Sequence, residues 1–120
     1  MIYGIGCDLC EISRIEKTKD GFTSRFFTEK EQELFNQKRN LPQTVAANFA
    51  VKEAFSKALG TGVSGFGLRD VEVLRDEKGK PYINLYGGAD EICKKEGITG
   101  IFVSISHTDE LAMGYVVLEK

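Results

Sequence analysis

The chain has 120 residues, with 16 Lys and Arg against 18 Asp and Glu for a formal net charge of −2, and is 42% hydrophobic and 28% charged. These figures suit one folded domain; a disordered chain would carry fewer apolar residues and more net charge. They exclude the strongly basic profile of a general nucleic-acid binder, and no run of 18 apolar residues is present to span a membrane. Met1–Asp8 lacks the basic and apolar regions of a signal peptide, so the cytosol is the expected compartment. Residues 1–60 carry +1 and residues 61–120 carry −3, and a local basic cluster lies at Arg14–Lys19.

In chain order, Ile2–Cys7 reads as a strand ending at Asp8, and Glu11–Lys19 as a short helix. Thr28 with Glu31 three residues later is a capping box, which predicts a helix through about Lys38. Pro42 suits the first turn of a long helix that runs to Leu59 and stops at Gly60 and Gly62. The period then changes to two. Leu68–Arg75 and Tyr82–Tyr86 are strands around the turn Asp76–Gly79, and Gly87–Glu96 is a helix. The alternation of Ile101, Val103 and Ile105, then of Leu111, Met113, Tyr115 and Val117, predicts a closing hairpin. The expected class is α+β, a mostly antiparallel sheet packed on one long helix and several short ones, in a single domain over residues 1–120.

Several motifs fail on context. Cys7 and Cys10 form a literal C-x-x-C, but three residues along a strand put the two thiols on opposite faces. Gly60–Gly65 spells G-x-G-x-x-G, yet it follows a helix and leads towards a strand, the reverse of a dinucleotide fingerprint. Ser106, His107 and Asp109 are too close in one hairpin for a nucleophilic triad.

Two features stand out. At 100° per residue, Ala47, Val51, Phe55, Ala58 and Leu59 share a core face of the long helix, while Phe49, Glu53 and Lys57 form a second stripe on the far side. That stripe is either an exposed i,i+4 ion pair or a face turned to a cleft or partner. Asp8 ends an apolar strand, where a carboxylate needs a partner. It is either a helix cap or a metal ligand; two carboxylates from separate elements plus a phosphate make a usual magnesium site, with a lysine to steady the phosphate. Asp8, Glu53 and Lys57 supply that set if the fold unites them.

The ordered segments Gly4-Ile5-Gly6-Cys7-Asp8 with Arg14-Ile15, Phe22-x-x-Arg25-Phe26-Phe27-Thr28-x-x-Glu31, Phe49–Gly62, Gly79-Lys80-Pro81 and Ser104-Ile105-Ser106-His107 resemble the holo-[acyl-carrier-protein] synthase family, the short single-domain type of 4′-phosphopantetheinyl transferase, over residues 2–119. The resemblance implies that family's fold. It also implies an enzyme that moves the phosphopantetheine arm of coenzyme A to a serine of an acyl carrier protein, for fatty acid biosynthesis. Mg²⁺ would be held at Asp8 and Glu53, and coenzyme A contacted at Lys57, Gly60, Gly62, Ser106 and His107. The carrier protein would be met at Arg14 and Arg25, and the site would lie between protomers of a homotrimer. The base that takes the serine proton is left open among Glu53, a water held by the metal, and His107. Many relatives carry Arg where this chain has Asn48, and Lys52, one turn away, is a possible substitute base. The alternative reading is a non-catalytic module that binds coenzyme A or the carrier protein.

Overall fold

The computed structural model describes residues 1–39 and 41–120. Strand β1 (Ile2–Glu11) is followed by α1 (Ile12–Glu16), α2 (Phe22–Phe26), α3 (Glu29–Gln37) and the long α4 (Pro42–Leu59). A short 3-10 turn (Leu68–Asp70) leads into β2 (Val71–Arg75), then β3 (Pro81–Leu85), α5 (Gly87–Glu96), β4 (Gly100–His107) and β5 (Leu111–Glu119). All pairing among the described residues is antiparallel, but it forms two sheets, β1-β5-β4 and the hairpin β2-β3.

The expected architecture holds, with local differences. Leu68–Asp70 is the 3-10 turn, so β2 begins at Val71, and β3 ends at Leu85. β1 continues to Glu11 because Leu9–Glu11 still pair with β5, which leaves α1 only five residues. α2 is only five residues long, too short for a periodic pattern to announce; the i,i+4 pair Phe22 and Phe26 packs edge to face on it, and Phe22 also meets Phe27. Asp8 does not cap a helix, and α1 has no side-chain cap.

α4 lies across one face of the three-stranded sheet. The approach is close because glycine faces it: a Cβ on Gly6 would overlap the Ala54 carbonyl oxygen, and one on Gly114 would sit 2.6 Å from the Val51 nitrogen. Val51, Ala54, Phe55 and Ala58 are buried there with Val116 and Leu118 of β5. The predicted core face is therefore correct, but burial goes further round the helix, to Asn48, Lys52 and Ser56. Gly60 ends α4 at φ 82°, in the left-handed region.

The capping box is present: Thr28 accepts from the Glu31 amide, and the Glu31 carboxylate accepts from the Thr28 amide at 3.1 Å. Glu31 is also the hub of a buried network. Lys52 Nζ donates to Glu31 Oε1 at 2.7 Å, to the Leu68 carbonyl at 2.9 Å and to the Val71 carbonyl. Asn48 Nδ2 donates to Glu31 Oε2 at 3.0 Å and to the Val73 carbonyl at 2.9 Å. These bonds join α3, α4 and β2, and no buried side-chain polar atom among the described residues lacks a partner. Lys52 is thus no substitute base for a coenzyme phosphate: it is fully buried and its three N–H bonds are spent on the fold.

Candidate functional site

β1 is an edge strand, and Gly4, Gly6, Asp8 and Cys10 alternate towards α4. The glycines admit the helix; Asp8, next in the row, lies at the sheet edge and keeps some access to solvent. Lys57 Nζ donates to Asp8 Oδ1 at 2.9 Å and to the Cys7 carbonyl at 3.1 Å. The side chains are 55% and 23% exposed, so the pair sits at the surface with Asp8 the more sheltered partner. Cys7 is exposed and Cys10 buried, as the strand period requires.

Glu53 is half-buried on the same side of α4. Burial, and then the negative charge of Asp8, push its pKa up, while Lys57 and Arg14 pull it down. Among the described residues its carboxylate makes no side-chain hydrogen bond or ion pair. Asp8 raises the pKa of Lys57 through their hydrogen bond. Two sheltered carboxylates that repel each other, one without a partner, fit a hard divalent cation that keeps most of its waters. Asp8, Glu53 and Lys57 are therefore brought together as the sequence anticipated, although Lys57 pairs with Asp8 rather than with Glu53.

Phe49, the apolar member of the stripe, does not face a cleft. It packs with Phe22, and both join Ile15 and Phe26 around the buried cluster of Phe27, Phe35 and Val45, which ties α1 and α2 to α4. Arg14 and Arg25 are exposed on those two helices, and Arg25 lies over the Phe26 ring at 5.2 Å.

The other anticipated residues divide by position. Gly60 and Gly62 are exposed in the loop that leaves α4 beyond Lys57. Ser106 and His107 end β4 at the opposite end of α4, where the Gln43 amide nitrogen lies 3.0 Å from His107 Nε2. From Gln43 to Lys57 is ~21 Å along the helix axis. The anticipated residues therefore lie in two groups, an acidic one near the end of α4 and a second one at its start.

Beside the second group stands a residue that its sequence context did not single out. Arg75, at the end of β2, donates from Nη2 to Asn48 Oδ1 at 2.8 Å and lines a cavity of about 580 Å³ with Gln43 and His107. The signal was faint, since an Arg before a turn normally reads as a solvated strand end.

Comparison with known proteins matches these features. Residues 4–116 match the 4′-phosphopantetheinyl transferase superfamily. The chain is 48% identical over 124 residues to a holo-[acyl-carrier-protein] synthase of Clostridium botulinum strain Eklund 17B, covering 99% of this chain and 98% of the relative. The Neisseria meningitidis holo-[acyl-carrier-protein] synthase structure superposes with TM-score 0.91 at 33% identity over all of both chains. The Bacillus anthracis enzyme, solved in complex with CoA (3′,5′-ADP), superposes with TM-score 0.83 at 39% identity over 98% of this chain and 96% of that one. On match, length and fold together, the chain belongs to the holo-[acyl-carrier-protein] synthase family of the 4′-phosphopantetheinyl transferase superfamily.

Proposed function

We propose that the protein transfers the 4′-phosphopantetheine group of coenzyme A to a serine of an apo acyl carrier protein for fatty acid biosynthesis, through the centre formed by Asp8, Glu53 and Lys57. The observation that carries this reading is the convergence, on one edge of α4, of two mutually repelling carboxylates and a lysine. The serine oxygen forms a bond to the phosphorus that bears the pantetheine arm. The bond from that phosphorus to the bridging oxygen breaks, and adenosine 3′,5′-bisphosphate leaves with the electron pair.

Such a transfer needs positioning and neutralised charge more than covalent help. Asp8 and Glu53 would hold Mg²⁺, which when bound neutralises the pyrophosphate. Lys57, beside Asp8, would meet the phosphate as a point charge. Glu53, or a water held beside it, is the acceptor proposed for the serine proton, on its position at that centre. Arg14 and Arg25 present positive charge to an acidic carrier protein beside the reacting centre.

The site is completed by a second copy, in a homotrimer. Ile5, Leu9, Phe102 and Tyr115 stand on the face of the three-stranded sheet away from α4, and Phe102 is 55% exposed. An apolar face of this kind is suited to burial against another subunit. No helix among the described residues is long and apolar enough to cross a membrane.

The test is to incubate the protein with apo carrier protein, coenzyme A and Mg²⁺ and to measure the intact mass of the carrier protein. A gain of one phosphopantetheine, abolished by a metal chelator and by Asp8→Ala, is expected. An unmodified carrier protein in a reaction where a competent control enzyme works overturns the reading and leaves a non-catalytic binding module.

A further inference from the structure

We propose that Arg75 binds the 3′-phosphate of coenzyme A, the phosphate that takes no part in the transfer. The proposal rests on the transfer reading above and names a residue that reading does not need. Arg75 is half-buried at the end of β2. Among the described residues its only side-chain partner is the neutral Asn48 Oδ1, and its other bond is a long one, 3.4 Å from Nη1 to the Leu74 carbonyl. Among the described residues no carboxylate lies within 4.0 Å of the guanidinium. Glu31, whose charge acts on it from further off, is already engaged by Lys52 at 2.7 Å. A sheltered cation with no counter-charge is costly, and an anionic ligand removes that cost.

The surroundings define the anion. Arg75 lines the cavity of about 580 Å³ together with Lys38, Gln43 and His107, beside the first turn of the 18-residue α4. The positive end of that helix adds to the two cations. Acidic residues border the cavity as well, but Asp76 Oδ1 is occupied by the amides of Lys78 and Lys80 at 2.8 and 2.9 Å, and Glu77 is exposed to solvent. The unused N–H donors of a planar guanidinium match the oxygens of a phosphomonoester.

The position selects which phosphate. In the transfer reading the pyrophosphate lies at Asp8, Glu53 and Lys57, and only one ribose separates it from the 3′-phosphate. Asn48, on which Arg75 rests, is about 140° around α4 from Glu53, so the helix itself stands between the two half-sites of one chain. The acidic half of one copy and the Arg75 half of its neighbour can grip one coenzyme; the two halves of a single copy cannot.

The test is calorimetric titration of the wild-type protein and Arg75→Gln with coenzyme A and with 3′-dephospho-coenzyme A. Arg75→Gln should lose at least about tenfold in affinity for coenzyme A and under about twofold for the dephospho form. Should Arg75→Gln unfold, Arg75→Lys takes its place and should also narrow the preference, because an ammonium lacks the fork. Equal losses for both ligands, or an unchanged preference, overturn the proposal. If the wild type modifies the carrier protein while Arg75→Gln keeps its full preference, this inference falls and the transfer reading stands. If the wild type binds neither nucleotide, both fall.

Discussion

Glu53 is a residue that the fold tolerates rather than needs. Its pKa is raised above the ordinary carboxylate value by burial and by Asp8. The folded state therefore holds this proton more tightly than the unfolded state, and stability falls as the pH rises through the raised value. At neutral pH Glu53→Gln should stabilise the protein, by less than about 1 kcal/mol because the side chain is partly solvated, while abolishing Mg²⁺-dependent turnover. Thermal unfolding of both proteins from pH 4 to 8 checks this. The gap between the melting temperatures should open as the pH rises, and a constant gap would show that Glu53 is not destabilised by its charge. The candidate carboxylates were legible in the sequence because both broke a rule, Asp8 by ending an apolar strand and Glu53 by sharing a stripe with Phe49. Lys52 was misread for the opposite reason. A lysine on a helix is ordinarily solvated, and only its place beside the predicted core arc, together with a Glu31 that the capping box draws inward, hinted at a buried pair.

α4 links the fold to the site. Its core arc came directly from a period of 3.6, whereas the burial of its flank at Asn48 and Lys52 depends on α3 and β2, elements remote in sequence that no local period announces. Lys52→Met leaves Glu31 buried without its cation and should cost about 3–5 kcal/mol. Urea unfolding measures this, and a loss below about 1 kcal/mol would show that the pair contributes little. Gly6→Ala tests the helix–sheet approach. Its methyl meets backbone rather than a flexible side chain, so a loss of about 1–3 kcal/mol or more is expected, with a wild-type-like melting temperature as the contrary result. On the neighbouring α1, Arg14→Ala should raise KM for the carrier protein and leave coenzyme A binding unchanged; a loss of coenzyme affinity instead would move Arg14 into the nucleotide site.

At the scale of the molecule, a chain of 120 residues has little core to spare for a large cofactor cleft, and the proposed reading divides that cleft between copies. In that reading each chain offers half of a site at each end of α4, and its apolar sheet face meets a second copy. The alternation in β4 and β5 made that sheet legible, but which face lacks a cover became visible only once α4 was seen to occupy the other. Phe102→Asp should reduce the sedimenting species to the 13.3 kDa chain and remove turnover with it, whereas an assembly of unchanged mass would place the subunit interface elsewhere.

The central claim is that the working site is shared, and complementation between two defective variants measures it most directly. Glu53→Gln damages the acidic half, and the double variant Arg75→Gln, His107→Ala damages the other half. The two are co-refolded in equal amounts and assayed for carrier-protein modification at limiting coenzyme A. If each site takes one half from each of two copies, a quarter of the sites in randomly mixed assemblies are intact. The mixture should then recover about a quarter of the wild-type rate. A rate no higher than the average of the two variants assayed separately would contradict a shared site.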